Sequence, residues 1–538
     1  MEVKKETRVI HLDVRIDNRN ALYDQLGIEK AVTDETLLLS AYQRWGSACA
    51  EKLIGDFAFV LYDASEERYF CARDPLGIKP LYYAVSEGRC FFGGDIETLF
   101  QTVSLPKTPN TEAMASWLNQ LAIAYDATMY REIKRLPPGH WMGICRGKRE
   151  TVRYWKPEKI TINRTISYEE AQQRFRELFE QSIRDRVEEL EATAFELSGG
   201  LDSSSIVSFL GKKGMKPRVY ALRFGALDCD EGEYIEAVAG HYGLGVENIH
   251  ADRIDVAGGY DLAFNYRANP HWPILGTFTI VFPMVEKMKE AGMKVIITGQ
   301  GGDHILTGSL WSLTEQLKRF RLLSVADELC RVDHPLKVIR HYLLAPLLGE
   351  RQKKVLRFLL RRPKREPIPH YPSLTDRMAL DSEAFREDLK LLMSTRQSMV
   401  MDYAPFYRIE KQYGLEYRHP FYDLRLVEFM LSLPPDFKYR KGKKKALLRD
   451  AMRGILPEKV RLRNDKAEFS NSVRREIDAV NLDTLLRKPY IVALGLIEQE
   501  KIDSLRKAYR EGTLKNILSF WQIINLEYWY RHTFVGEK

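Results

Sequence analysis

A run of small and polar residues near the middle of the chain has the composition of a phosphate-binding loop. Its residues are, in order, Ser198, Gly199, Gly200, Leu201, Asp202, Ser203 and Ser204. Glycine lets an anion approach the backbone closely, because it has no Cβ. The serine hydroxyls and the N–H groups that open a following helix can donate to phosphate oxygens. Asp202 adds a carboxylate that can hold Mg²⁺ against phosphate, so the run predicts a nucleotide site.

A second loop of similar composition follows a later apolar run. The apolar run is Val295, Ile296, Ile297 and Thr298, and the loop is Gly299, Gln300, Gly301, Gly302 and Asp303. In a doubly wound sheet, ligands bind beyond the carboxyl ends of the strands, so the two loops are expected side by side. Asp202 and Asp303 then form a predicted Mg²⁺ pair for the β- and γ-phosphates. We expect Leu222, Thr298, Gly299 and Gln300 to complete the nucleotide site, with backbone near Leu222 and Gly299 contacting adenine.

Positive charge is concentrated further along the chain. The cations are Lys443, Lys444, Lys445, Arg449, Arg463 and Lys466. Such groups could stabilise the charge that develops as pyrophosphate leaves an activated nucleotide. Composition alone gives no reason to choose one of them.

The first part of the chain, to about residue 157, is rich in short β-like runs separated by turn residues. Strands are predicted over 57–62, 69–72, 81–85 and 90–92, and a helix over 33–44. A capping box at Ser167 then opens an amphipathic helix. We predict one domain over 1–157 and a second over 158–538.

Strands and helices alternate at the start of the second domain. The predicted strands are 193–197, 218–224 and 294–298, and the predicted helices are 203–213, 232–243 and 277–291. This alternation favours a doubly wound, mostly parallel sheet, and the chain after residue 310 is expected to be mainly helical. The fold class is therefore α/β, with a sheet-rich N-terminal part.

Composition excludes several classes of protein. The 538 residues are 45% hydrophobic and 29% charged, as in ordinary globular proteins, and no apolar run is long enough to span a membrane. The six cysteines are far apart, which favours a reduced, cytoplasmic protein without structural zinc. A net charge of +8 does not demand nucleic acid. The basic segment Arg351–Pro372 could dock RNA or an acidic peptide, but a solvated helix end and exposed loop is the interpretation we favour.

Across essentially its whole length the chain resembles the asparagine synthetase family of the ATP-pyrophosphatase type. Besides the two loops, the matching motifs are Gly55–Phe59, Ala72–Tyr83, Leu136–His140 and Leu415–Asp423. The resemblance implies an Ntn-type, glutamine-amidotransferase-like sandwich followed by an ATP-pyrophosphatase domain that uses ATP and Mg²⁺. It also implies that Lys466, in Lys-x-x-Phe-Ser, is the catalytic lysine, together with Asp202 and Asp303.

Two departures from the family pattern bear on function. Glutamine-using members carry a cysteine at residue 2, where this chain has Glu2, so we expect a degenerate amidotransferase domain. Gln300 and His304 replace two glutamates of asparagine synthetases. In these features, and in the run Arg418–Val427, the chain most resembles the lasso peptide cyclases. Arg418 is read equally as an internal partner of Asp423 and as a substrate contact.

This branch implies an ATP-dependent cyclase that adenylates an Asp or Glu side chain of a peptide. The peptide's N-terminal amine would then form a macrolactam, with release of AMP and pyrophosphate. The implied partners are a linear precursor peptide, a leader-peptide protease and a leader-binding protein. Two alternatives remain open: an ammonia-dependent asparagine synthetase, and a non-catalytic homologue that binds nucleotide or RNA.

Overall fold

Two antiparallel β-sheets form the N-terminal part of the molecule. The first contains β1 (Thr7–Ile16), β2 (Gly55–Asp63), β3 (Arg68–Arg73), β7 (His140–Cys145) and β8 (Lys148–Arg153), in the order β1-β2-β3-β7-β8. The second contains β4 (Tyr82–Ser86), β5 (Arg89–Gly93) and β6 (Ile133–Arg135), in the order β5-β4-β6. The four strands predicted in this region are confirmed as β2, β3, β4 and β5, whereas β1, β6, β7 and β8 were not predicted.

Alternating side chains of β2 explain why the two sheets stack. Phe57, Phe59 and Leu61 face a core that includes helices α1 (Arg19–Leu26) and α2 (Asp34–Trp45). Ala58 and Val60 point the other way and pack with Leu81 and Met142 between the sheets. This period-two burial on both faces is what a central strand of a sandwich requires.

A five-stranded parallel sheet forms the centre of the C-terminal domain. Its strands are β9 (Thr193–Glu196), β10 (Arg218–Arg223), β11 (Val246–His250), β12 (Val295–Ile297) and β13 (Glu416–Arg418), in the order β11-β10-β9-β12-β13. Helices cover both faces, so the predicted doubly wound sheet is confirmed. The sequence analysis missed β11 and β13 because neither forms a long apolar run.

The structure, a computed structural model, describes residues 7–30, 32–119, 123–225, 227, 229–253, 273, 280–344, 382–393, 404–465 and 470–536. The segment Arg351–Pro372 and Lys466 lie outside these residues, as does the beginning of the helix predicted over 277–291. Within the described residues, no helix is both long and apolar enough to cross a membrane.

The remaining helices surround the two sheet systems. Their bounds are α3 (Ile96–Thr102), α4 (Thr111–Leu118), α5 (Tyr168–Arg184), α6 (Leu201–Lys212), α7 (Gly232–Tyr242), α8 (Phe282–Glu290), α9 (Gly302–Leu306), α10 (Ser312–Lys318), α11 (Leu322–Leu329), α12 (Pro335–Val338), α13 (Glu383–Met393), α14 (Ala404–Tyr413), α15 (Leu424–Ser432), α16 (Ala446–Ala451), α17 (Glu458–Arg461), α18 (Ser470–Asp478), α19 (Leu482–Leu485), α20 (Tyr490–Ala493), α21 (Gln499–Arg510) and α22 (Ile517–Tyr530). The predicted capping box is present, since Ser167 accepts from the Glu170 N–H and the Glu170 side chain accepts from the Ser167 N–H.

The last helices of the chain pack against the N-terminal sandwich. Trp521 and Trp529 of α22 share one apolar core with Tyr82 of β4 and Trp117 of α4. The two halves of the chain are thus joined by a continuous buried contact, which holds the parallel sheet and the sandwich in one arrangement.

Candidate active site

The two glycine-containing loops lie in direct contact beyond the carboxyl ends of β9 and β12. A Cβ built on Gly299 would lie 2.6 Å from the backbone nitrogen of Ser203. A Cβ built on Gly302 would lie 2.3 Å from Cγ of Asp202. Only glycine permits this approach at either position, and the loops therefore form one site, as the topology of a doubly wound sheet predicts.

The first loop is held in shape by its own serines. The N–H of Ser198 donates to Oγ of Ser203 at 3.1 Å, and the two hydroxyls are 3.0 Å apart. Gly199 has φ +78°, and a Cβ there would lie 3.0 Å from the carbonyl oxygen of Glu231. Helix α6 then begins without a side-chain cap at Gly200. The N–H groups of its first turn can therefore donate to an anion.

Lys445 joins the carboxylates of the two loops. Its Nζ lies 2.5 Å from Oδ2 of Asp202 and 2.7 Å from Oδ1 of Asp303. Burial opposes protonation of this amine, but the two carboxylates outweigh burial and raise the pKa of Lys445. Lys445 stands at the start of α16 with φ +56°. The sequence contains three consecutive lysines, and nothing in that run distinguishes the one that the fold delivers to the site.

The donor set at this point suits magnesium. Asp202 and Asp303 present their carboxylates toward one amine, so both face the same part of the cavity. Magnesium binds one or two carboxylates together with phosphate oxygens, and a protein cage of many ligands is not required. The predicted roles of Asp202 and Asp303 as metal ligands fit this arrangement and stay a prediction.

A cavity of about 540 Å³ opens beside the loops. The predicted site residues that line it are Ser198, Gly200, Leu201, Asp202, Ser203, Thr298, Gly299, Gln300 and Asp303. Gly199, Ser204 and Leu222 do not line it, and Ser204 is completely buried. The assignment of these residues to nucleotide binding stays a prediction.

Four of the six candidate cations, Lys444, Lys445, Arg449 and Arg463, line the cavity, although composition gives no reason to choose among the six. The lining residues that the sequence analysis did not name are Glu196, Glu231, Thr307, Phe406, Asn464 and Asp465. Arg463 forms an ion pair with Glu231 and donates to the carbonyl oxygen of Gly199 at 3.3 Å, so it braces the first loop. Burial and the neighbouring Arg461 lower the pKa of Arg449. These cations come from a segment more than 200 residues beyond the loop, which is why sequence spacing does not reveal them.

The signature segment around β13 supports the site from one side. His419 lies with Nδ1 2.8 Å from Oγ1 of Thr298, and burial lowers the pKa of His419 to about 3, so the imidazole is neutral. His304 lies 2.5 Å from the hydroxyl of Tyr422. Each is thus engaged within the fold.

Arg418 does not have the partner considered from sequence. It forms ion pairs with Glu416 at 2.7 Å and with Glu188 at 3.0 Å. Asp423 is bound instead by Arg186 and Arg425. The reason is positional: Arg418 ends β13, whereas Asp423 caps α15 on the other side of a short turn.

A parallel sheet with glycine loops, an uncapped helix start and paired carboxylates is typical of a nucleotide-dependent enzyme, and here an amidotransferase-like sandwich is appended to it. Comparison with protein families agrees. The family model described as asparagine synthase matches residues 174–531, and the glutamine amidotransferase domain model matches residues 1–155. The chain therefore belongs to the asparagine synthase family, whose members are ATP-dependent, AMP-forming ligases that make amide bonds.

The relatives found are distant. Asparagine synthetase [glutamine-hydrolyzing] 3 of Bacillus subtilis is 24% identical over 91% of this chain and 80% of its own length. Asparagine synthetase [glutamine-hydrolyzing] 1 of the same organism is 23% identical over 92% of this chain and 81% of its own length. Amidase chyE of Penicillium rubens is 27% identical over 53% of this chain and 45% of its own length. This degree of similarity leaves the acyl and amine substrates to be argued from the site.

Proposed function

We propose that the protein is an ATP-dependent peptide cyclase that forms a macrolactam. It would adenylate an Asp or Glu side chain of a linear precursor peptide and join it to the peptide's N-terminal amine. The observation that carries the proposal is the cavity itself, in which both phosphate loops and Lys445 lie beside the uncharged amide of Gln300. A free amino-acid substrate carries an ammonium group, which binds best next to a carboxylate. Gln300 has an uncharged amide at its position and does not supply that carboxylate.

In the first step, an oxygen of the peptide carboxylate attacks the α-phosphorus, and the bond from that phosphorus to the pyrophosphate oxygen breaks. The first loop and the N-terminus of α6 would donate to the leaving pyrophosphate. Lys445, Lys444 and Arg449 would stabilise the negative charge that develops on it. Magnesium bound by Asp202 and Asp303 would neutralise the β- and γ-phosphates.

In the second step, the amine nitrogen attacks the acyl carbon, the bond from that carbon to AMP breaks, and the amine loses a proton. Nucleophile and acyl group belong to one molecule. Holding both in one cavity can remove roughly 7–11 kcal/mol of the barrier when the geometry is good. Lys466 keeps its proposed role as the catalytic lysine on the strength of the sequence resemblance.

The thiols of the amidotransferase-like domain support an amine source other than glutamine. Burial raises the pKa of Cys49 to about 12 and that of Cys90 to about 11, and it raises the pKa of Cys71 well above its usual range. Nucleophilic cysteines require the opposite shift. Cys145 donates to the carbonyl oxygen of Glu66. Cys49, Cys71 and Cys90 are therefore not activated as nucleophiles by their surroundings.

Ammonia-dependent asparagine synthesis is the second candidate. It is favoured by the two Bacillus subtilis relatives, which are asparagine synthetases and match 91% and 92% of this chain. In this case free ammonia, and not a peptide amine, would attack an aspartyl adenylate in the same cavity.

The experiment that separates these functions supplies ATP, Mg²⁺ and one set of substrates at a time. The first set is the short precursor peptide encoded beside the gene, with its leader-peptide protease and leader-binding protein, which are the proposed partners. Loss of one water from the peptide together with AMP formation is the expected result. AMP formation only with aspartate and ammonium would replace the proposal with asparagine synthesis, and no AMP in either mixture would favour a non-catalytic binding protein.

The Asp202→Asn variant is the control for the chemistry. It should abolish both the mass loss and AMP formation, because one of the two carboxylates facing Lys445 is removed. We place the reaction in the cytoplasm, since the six cysteines, all of them among the described residues, form no disulfide with one another.

A further inference from the structure

Glu196 places a carboxyl group inside the nucleotide cavity. It is the last residue of β9, it lies opposite Tyr220 of β10 in the parallel register, and it lines the cavity with Ser198 and Thr298. Phe195 of the preceding position pairs with Ile297, so Thr298 follows on the strand beside Glu196. Adjacent strands are about 4.8 Å apart, and the two side chains are therefore close neighbours on one face of the sheet.

No residue that the structure describes forms a hydrogen bond or an ion pair with this carboxyl group. The groups near it are Tyr220 on β10, Thr298 just after β12, Tyr417 on β13 and His419 just after β13, and Phe406 of α14 also lines the cavity. His419 is neutral, and Tyr417 is buried with its own hydroxyl unpaired among the described residues. Glu196 is partly exposed to the cavity, so a ligand can reach its carboxyl group. A ligand that displaces water from this group must supply hydrogen bonds in its place.

The face of the sheet on which Glu196 lies indicates which part of ATP it would contact. Phosphates belong to the first loop and the start of α6, on the side of the sheet where Phe195 and Leu197 pack against α6. Glu196 and Ala194 project from the opposite face, where the second core lies. A carboxyl group next to phosphates would be repelled when ionised. Glu196 instead lies between β10, which carries Leu222, and Thr298 of β12, where backbone contacts to adenine are predicted.

We propose that Glu196 recognises the adenine ring of ATP as a neutral carboxylic acid, its O–H donating to adenine N1 and its carbonyl oxygen accepting from the N6 amino group. This assignment rests on the proposed use of ATP by the same cavity. Burial raises the pKa of Glu196 to about 7, with no charged neighbour acting against burial. The neutral acid is therefore well populated near neutral pH, and a one-donor, one-acceptor edge complements adenine.

The test compares nucleotide affinity in the absence of peptide, by calorimetry with ATP and Mg²⁺. Glu196→Leu should weaken ATP binding about tenfold or more, since two hydrogen bonds are lost and the adenine polar edge is left unpaired. Glu196→Gln keeps one donor and one acceptor and should bind ATP within about threefold of wild type at pH 6. Glu247→Gln is the matched control, because Glu247 lies on β11 of the same sheet, is half exposed and pairs with Lys287.

Measuring at two pH values isolates the proton on Glu196. Between pH 6 and pH 8.5 the Kd of the wild type for ATP should rise several-fold relative to that of Glu196→Gln, because only the wild type ionises there. The ratio cancels the titration of the phosphates, which both proteins share. Pyrophosphate affinity should be the same in all four proteins, which shows that the phosphate loops are intact.

Two results would overturn the assignment in different ways. Equal ATP affinity in wild type and Glu196→Leu, with pyrophosphate binding retained, would show that Glu196 does not contact the base. If Glu196→Leu were then defective only in amide formation, Glu196 would contact the attacking amine of the peptide instead. Failure of the wild type to bind ATP at all would overturn the ATP site and the role of Glu196 with it.

Discussion

Arg186 and Lys445 are both held between two aspartates, but their surroundings differ. Arg186 lies 2.9 Å from Asp423 and 3.4 Å from Asp17, and each of the three side chains is only 1% exposed. Lys445 lies between Asp202 and Asp303, and the side chain of Asp303 is 51% exposed. The first group is closed to solvent, whereas the second opens onto a cavity.

The comparison shows that ion-pair chemistry alone does not mark a functional site. Asp17 belongs to the N-terminal sandwich and Asp423 to the C-terminal domain, so Arg186 links the two parts of the chain in a dry interface. A cation that carries out chemistry must be reachable by the ligand whose charge it stabilises. Exposure at the carboxylates, together with the glycine loops, separates the Lys445 group from the Arg186 group.

The largest effect is expected from Arg186→Met. Asp17 and Asp423 would keep only their other partners, Arg15 and Arg425, and breaking one member of a buried ion group costs about 3–5 kcal/mol of stability. Chemical denaturation followed by circular dichroism measures this change. If the variant were as stable as the wild type, Arg186 would not be the interdomain link that its burial indicates.

Lys445→Met should affect catalysis and leave stability nearly unchanged. Removing one preorganised cation from developing phosphate charge lowers the rate about 10²–10³-fold. AMP formation measures the rate, and the melting temperature tests the fold. The control is Lys441→Met, the same substitution at an exposed lysine of the preceding turn. If Lys445→Met lost both its fold and its activity, Lys445 would have a structural role like that of Arg186, and the distinction between them would fail.

Gly302→Ala tests the contact between the two loops. The new Cβ would lie 2.3 Å from Cγ of Asp202, so the carboxylate must move away from Lys445. We expect AMP formation to fall about tenfold, a loss of about 1.4 kcal/mol of transition-state stabilisation. Gly240→Ala is the matched control, since a Cβ at Gly240 in α7 meets nothing within 4 Å. Equal activity of the two variants would contradict the close packing of the loops.

The smallest effect is a pH dependence confined to the interdomain group. Burial opposes ionisation of Asp423, but Arg425 and Arg186 outweigh it and hold the pKa of Asp423 well below its usual range. Its stabilisation is therefore present above about pH 4, the ordinary pKa of Asp, and is lost as pH falls toward the lowered value. The difference in unfolding free energy between wild type and Asp423→Asn should narrow from pH 6 to pH 3. A constant difference would mean that the charge of Asp423 contributes nothing.

Much of the parallel sheet could be predicted because its central strands are apolar runs followed by glycine loops. Strands β9, β10 and β12 lie where the sequence pattern indicates, since a strand buried on both faces needs such a run. Strand β13 has only three residues, Glu416–Arg418, and its identity depends on pairing with β12. No local pattern contains that pairing.

The residues of the candidate site also divide into those that the sequence could predict and those that it could not. Asp202 and Asp303 could be predicted because each lies in its own short motif. Lys445 and Arg463 could not, since their arrival at the cavity depends on the path of a long helical segment. Glu196 lies within a predicted strand, and only the structure shows that its side chain lines the same cavity as the two loops.

The central claim is that this cavity adenylates a peptide carboxylate and passes it to the peptide's own amine. The most direct test measures AMP formation and peptide mass in one reaction, with the wild type and Lys445→Met side by side. We predict one AMP for each peptide that loses one water, with both products falling together in the variant. AMP formed only with aspartate and ammonium, while the peptide mass stays unchanged, would contradict the account.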